Sequence, residues 1–178
     1  MAKQRLPLLV VDGYNVIYKS PRYTSVMDES DGHDPFMRAR EMLIGDVAAY
    51  AQGRYAPIVV FDAAGNVSPD RPNLTRAGVK TIFSQTGETA DAVIERLVSD
   101  ARRENRDVTV VTSDNTIRAT VGGIPVTRIS SDVLVSDVGD IVQDVERAND
   151  ERNHVRFTLE DRLDPKTRAK LDALLGRR

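Results

Sequence analysis

Four short apolar runs, each closing on acidic residues, set the terms for what this chain can become. Residues 8–11 run into Asp12, 58–61 into Asp62, 79–83 towards Glu88 and Asp91, and 108–112 towards Asp114. Short Val/Ile/Leu runs without polar alternation are how strands read when both faces are covered, the condition of a parallel sheet. Open α/β sheets place their ligands beyond the carboxyl ends of such strands. Laid side by side, the four runs would bring five carboxylates to one sheet edge. Such a cluster repels itself unless divalent cations or protons neutralise it. The pattern predicts a metal ion held against an anionic substrate.

The chain has 178 residues, enough for one domain with a proper core and too few for two comfortable ones. It has no cysteine, which excludes disulfides, Cys-ligated zinc and iron–sulfur clusters. The apolar stretch 6–11 is interrupted by Asp12 and is too short for a signal peptide or a membrane span, and no later run approaches spanning length. A cytoplasmic protein with no membrane partner is expected. The formal net charge is −2, and leaving out the five edge carboxylates makes it +3. Mild acidity is therefore a poor argument against a metal-dependent nuclease, although it disfavours binding duplex DNA by a broad basic face.

Between the runs the pattern turns helical. A polar loop is expected over 18–34, then Asp34-Pro35 reads as the start of a helix whose apolar stripe is Phe36, Ala39, Leu43, Val47 and Tyr50. A Gly/Pro/Asn-rich loop covers 64–78. Residues 88–104 read as a helix with Val93, Ile94, Leu97, Val98 and Ala101 inward. A short helix is expected over 115–121, an edge strand over 125–129, and a helix capped by Ser130 or Ser131 and ending near Asn149. Strands alternating with helices predict a three-layer α/β/α sandwich on a mostly parallel sheet of about five strands. Domain boundaries are expected at 1–150 and 151–178. In the second segment Val155, Phe157 and Leu159 alternate as in an extended strand, and Asp164-Pro165 opens a closing helix. This tail holds 8 Lys/Arg against 5 Asp/Glu.

The chemistry-bearing residues fall where the strands should end. Asp12 can ligate Mg²⁺, which prefers oxygen donors; Gly13 admits close backbone approach, and Asn15 can orient a phosphate or the carboxylate. A turn rich in turn formers is the plainer alternative. Glu88 and Asp91, three apart, share a face if both lie in the helix, though acids in a first turn also suit the macrodipole without chemistry. Ser113 and Asp114 repeat the strand-to-acid pattern, with helix capping as their alternative. Asp62 ranks behind these, as a substrate-loop or supporting residue. Lys19, Arg22 and Tyr23 after the first run, and Arg71 and Arg76 after the second, could hold flanking phosphates while Tyr23 stacks on a base. His33 and His154 lie beside no strand end, so the general acid–base pair of a metal-free ribonuclease is missing.

These stretches together resemble the YacP-like NYN-domain family, which has the PIN-type nuclease fold. The resemblance rests on DGYN at 12–15, VVFDA at 59–63, GVKTIFSQTGETADAVIERL at 78–97 and VVTSD at 110–114, with LDPKTRAKLDALL similar to the family's helical end. It implies that Asp12, Asp91 and Asp114 bind the metal, with Asn15 and Glu88 as accessory site residues. It implies a Mg²⁺-dependent (or Mn²⁺-dependent) endoribonuclease on single-stranded RNA, with ribosome-associated mRNA cleavage as the family's setting. A non-catalytic RNA- or ribosome-binding module on the same fold is the rival reading. An aspartyl-phosphate phosphatase would need a second acid two residues after the first, where this chain has Tyr14. Dinucleotide binding would need a G-x-G-x-x-G after the first strand, which is missing.

Overall fold

The structure is a computed structural model describing residues 5–27, 34, 36–63, 74–113, 126–161 and 165–174. Its centre is a six-stranded sheet: β1 (Leu8–Asp12), β2 (Ala56–Phe61), β3 (Leu74–Arg76), β4 (Val79–Phe83), β5 (Val108–Val111) and β6 (Thr127–Ile129), in the spatial order β3-β4-β2-β1-β5-β6. All pairs are parallel except β3–β4. The expected apolar runs are the four central strands.

The uninterrupted apolar character of these strands follows from burial on both faces. Leu8, Val10, Ile58, Val60, Val108 and Val110 pack in one cluster with Val93, Ile94, Val98 and Ala101 of α4 (Ala90–Arg103). Strand residues of the other parity face the opposite side. There Leu9, Val11, Val59 and Phe61 are fully buried beneath α1 (Gly13–Lys19) and α3 (Met37–Ala51). Each fully covered Leu, Val or Phe contributes about 1.5–3 kcal/mol, so the two layers of helix are what make a parallel sheet of this composition possible.

Several expectations are corrected. The polar loop over 18–34 is not a loop from its start: α1 runs on directly from β1, and α2 (Pro21–Thr24) follows, with Ser20 accepting from the Arg22 N–H and Pro21 at the first helical position. Helix α3 begins at Met37; the Asp34 carboxylate accepts from the Phe36 N–H at 3.1 Å. A sixth strand, β3, lies inside the segment 64–78 that the sequence predicts as loop. It returns through Ala77 and Gly78, whose φ of 50° and 79° form a two-residue hairpin turn. Thr89 caps α4, accepting from the Ala92 N–H, so Glu88 precedes the helix and does not share its face with Asp91.

The largest correction is at the C-terminal end. Helix α5 (Ser131–Asp161) passes through Gly139 and through 155–159, which are helical and not extended. Val155 and Leu159 are also four apart, the helical spacing, and no Gly or Pro interrupts 140–164. A last helix, α6, runs over Pro165–Leu174; Asp164 lies outside the described residues. Two compact units result, Met1–Gly139 with the sheet and Asp140–Arg178 with the remainder of α5 and α6. The helix expected over 115–121 lies outside the described residues. Among those described, no helix is long and apolar enough to cross a membrane.

Gly13 shows how closely α1 seats on the sheet. A Cβ there would fall within 3 Å of three ring atoms of Phe61, which is fully buried. The close approach this glycine allows is that of Phe61. Gly13→Ala should therefore destabilise the protein by about 1–3 kcal/mol, read as a lower urea midpoint at unchanged slope. An unchanged midpoint would mean the ring has room to move.

Candidate functional site

The chain builds β1, β2 and β4 outward in one direction and then returns to place β5 on the other side of β1. The reversal lies between β1 and β5, and the crevice beyond the carboxyl ends of strands at such a switch point is where open α/β sheets take ligands. Asp12 is the last residue of β1. Ser113 comes two residues after the end of β5, and Asp62 directly follows β2.

Asn15 ties this edge together. Its Oδ1 accepts from the Ser113 N–H at 2.9 Å and from the Ser131 hydroxyl at 2.8 Å, and the Ser131 N–H donates to Ser113 Oγ at 3.2 Å. Its own N–H donates to Asp12 Oδ1 at 3.1 Å, making Asp12 the N-cap of α1. Three segments distant in sequence thus meet at one amide. Ser130, not Ser131, caps α5 by accepting from the Val133 N–H, which frees the buried Ser131 hydroxyl for Asn15.

On the other side of β1, the Asp62 carboxylate accepts from the Ala90 N–H at 3.3 Å, which fixes the start of α4 beside the end of β2. Ser84 adds a second tie: its N–H donates to the Phe61 carbonyl and its Oγ accepts from the Ala63 N–H at 2.8 Å. Asp91, in the first turn of α4, is carried to the same edge. Asp12 is buried, and Asp62 and Asp91 are half-buried. Their oxygens are the hard donors that Mg²⁺ takes. Among the described residues no three acids gather closely enough to hold an ion; Asp114 lies outside them, immediately after Ser113 in sequence.

The accessory residues divide. Glu88 is paired with Arg96, and that hydrogen bond holds its carboxyl below the usual range; it braces the approach to α4. Tyr23 is fully buried and donates to Asp46 Oδ2 at 2.9 Å, so it cannot stack on a base. Arg22 makes a two-pronged pair with the same carboxylate at 2.8 and 3.0 Å. Arg76 pairs with Glu41 at 2.7 Å on the surface, and Lys19 is exposed at the end of α1. Arg71 and His33 lie outside the described residues. Sequence reasoning missed Arg40, Asp46, Ser84 and the role of Ser131. Their only signal was a polar residue on an otherwise apolar helical face or at a strand end.

The YacP-like NYN domain matches residues 9–175 of the chain. The chain is 30% identical over 142 residues to the protein YacP of Bacillus subtilis (strain 168), a stretch covering 80% of this chain and 81% of that one. The crystal structure of Rae1 (YacP) from Bacillus subtilis is similar with a TM-score of 0.68 and 28% identity, covering 96% of this chain and 95% of that one. A mutant form of the same protein gives a TM-score of 0.65 over 95% and 99% of the two chains.

The Tyr23–Asp46 contact has a pH signature. Burial, followed by the Asp46 carboxylate, pushes the Tyr23 phenol well above its ordinary value. A raised folded-state pKa gives stability that is full below the unfolded value, about 10, and is lost as pH rises past it. Tyr23→Phe should cost about 1.5–3 kcal/mol near neutral pH, as for a hydrogen bond to a charged group. The gap to wild type should narrow above about pH 10. Urea titrations at neutral and alkaline pH read both; a gap constant with pH would contradict the assignment.

Proposed function

The chain belongs to the YacP-like NYN domain family, and from that premise we propose that it is a metal-dependent endoribonuclease acting on single-stranded RNA. The observation that supports this most is the switch-point edge, where Asp12 closes β1 and Asp91 is carried on the anchored start of α4. Asp114 is assigned as the third acid, one residue beyond the Ser113 that Asn15 holds. Asp12, Asp91 and Asp114 would hold Mg²⁺ or Mn²⁺, and the ion when bound would activate water and offset charge on the scissile phosphate.

The protein's own part is positioning. Asn15 fixes the Ser113 backbone and, through its N–H, the Asp12 carboxylate. Asp62 is spent on the α4 N-terminus and serves as a support, not as a ligand. Gathering fixed acids at a half-buried edge is what lets positioning and electrostatics supply most of the acceleration. Attack by water leaves the 2′-hydroxyl unused, so the products should carry 5′-phosphate and 3′-hydroxyl ends.

The substrate reading extends to messenger RNA at the ribosome through the basic C-terminal tail. Lys166 and Lys170 are exposed on α6. Replacing Lys166, Arg168 and Lys170 by Ala should weaken association with RNA or ribosomes, most clearly at low salt. Equal affinity for wild type and triple variant at low and moderate salt would remove the tail from the binding surface.

Asp12→Asn, Asp91→Asn and Asp114→Asn should each lower cleavage by on the order of a hundredfold or more, and excess chelator should do the same to wild type. Asp12→Asn keeps an N-cap acceptor and removes one charge from the edge, so its thermal midpoint in chelator should equal or exceed that of wild type. Cleavage retained in Asp12→Asn or Asp91→Asn, or 2′,3′-cyclic phosphate ends, would overturn the assignment. RNA binding without cleavage by wild type would favour the binding module instead.

A further inference from the structure

Helix α1 leaves the sheet directly from Asp12 and carries two tyrosines one turn apart, the half-buried Tyr14 and the exposed Tyr18, beside the buried Val16 and Ile17. Tyr14 is edge-on to Phe61 and to Phe36, with ring centroids 5.1 and 5.3 Å apart. Tyr18 lies 6.2 Å from Tyr14 and 5.9 Å from Phe36, yet remains 60% exposed. One side of its ring has aromatic neighbours, and the rest is open to solvent. Among the described residues, Tyr14 and Phe36 are the aromatic neighbours of that ring.

The group behind it is held by buried contacts. Arg40, 4% exposed, donates to the Tyr14 hydroxyl at 3.0 Å and pairs with the Asp34 carboxylate. Its guanidinium lies 6.0 Å from the ring centroids of both Phe61 and Phe83. A buried arginine fixed by a carboxylate, a phenol and two aromatic faces holds Tyr14, and through Tyr14 and Phe36 the setting of Tyr18. Tyr18 comes six positions after Asp12, roughly 9 Å of helical rise. Exposed Lys19 follows it in the chain.

We propose that Tyr18, backed by Tyr14 and Phe36, is a stacking platform for an unpaired base of single-stranded RNA flanking the Asp12 edge. The occupant follows from chemistry and place. An open aromatic ring accepts any base face, because stacking needs no particular hydrogen-bond pattern. A neighbouring lysine suits the phosphate that accompanies the base, and the platform stands on the helix that Asp12 caps. This rests on the ribonuclease reading for the course of the strand. It assigns to Tyr18 the stacking role for which the buried Tyr23 is unavailable.

The test uses a short single-stranded oligoribonucleotide carrying 2-aminopurine, whose fluorescence falls on stacking, with Ca²⁺ in place of Mg²⁺ to keep the strand intact. Tyr18→Ala should weaken binding roughly five- to a hundredfold, the range for loss of base–aromatic stacking, and abolish the quenching. Tyr18→Phe should restore both. Tyr18→Phe should match wild type in thermal midpoint, Tyr18→Ala should remain folded with a small drop from its lost ring contacts, and affinity for duplex RNA, whose bases are already stacked, should not change. Equal affinity and quenching in wild type and Tyr18→Ala would overturn the platform, and so would a Tyr18→Phe as weak as Tyr18→Ala. Cleavage by wild type is read separately in Mg²⁺. Cleavage with Tyr18-independent binding overturns the platform alone, Tyr18-dependent binding without cleavage overturns the nuclease reading alone, and neither binding nor cleavage overturns both.

Discussion

The carboxyl edge of a parallel sheet needs closure that the sheet itself does not supply, and here one amide supplies it. Beyond the last ladder bond each strand ends in polar backbone that must find partners. Asn15 Oδ1 accepts from the Ser113 N–H and the Ser131 hydroxyl, while the Asn15 N–H donates to Asp12. The end of the fifth strand and the start of α5 are therefore set by one side chain of α1, 98 and 116 residues away from its partners, while the backbone N–H of the same residue holds Asp12. With Ser131 fully buried, removing the acceptor would leave its hydroxyl and the Ser113 N–H unsatisfied. That penalty is larger than the net gain from an average hydrogen bond. Asn15 is thus a structural node first, and its effect on Asp12 follows from that.

The charges of this protein are sorted by the same logic. Arg22 and Tyr23 converge on Asp46, and Arg40 is paired with Asp34, so the half-buried Arg22 and the buried Arg40 both have their anions locally. A buried ion pair seldom adds much net stability over a well-packed apolar substitute, but losing one member leaves the other uncompensated. These pairs fix how the helices seat on the Phe61 side of the sheet.

The sheet was legible because its signal is local. Each central strand is a contiguous apolar run, and β1, β2, β4 and β5 lie where those runs do. β3 was not legible because its turn is Ala77-Gly78 and not Asn-Gly; Ala77 takes a positive φ that its side chain disfavours. The segment 155–159 was misread because three alternating apolar residues fit two periods, and only the absence of a breaker over 140–164 separates them. At the site, Asp12, Asp62 and Asp91 were legible as acids at strand and helix ends. Asn15 was recognisable as a residue of interest, but not as a bridge to Ser131, since contacts across 116 residues leave no trace in local spacing.

Tyrosine shows why residue type alone does not locate a binding surface. Tyr23 and Tyr18 lie five positions apart, both followed or preceded by a cation, and either could have been the exposed ring. Burial was decided elsewhere, by Asp46 on α3, which offers Tyr23 a charged acceptor inside the protein. A phenol that can satisfy its hydroxyl indoors gains the full hydrophobic contribution of its ring. Tyr18 is at the solvent end of a short helix whose inward positions are already taken by Val16 and Ile17. Its exposure follows from helical phase, and its distance from Asp12 follows from α1 starting where β1 stops. The helix that Asp12 caps is therefore also the one that carries an open aromatic ring six positions further on.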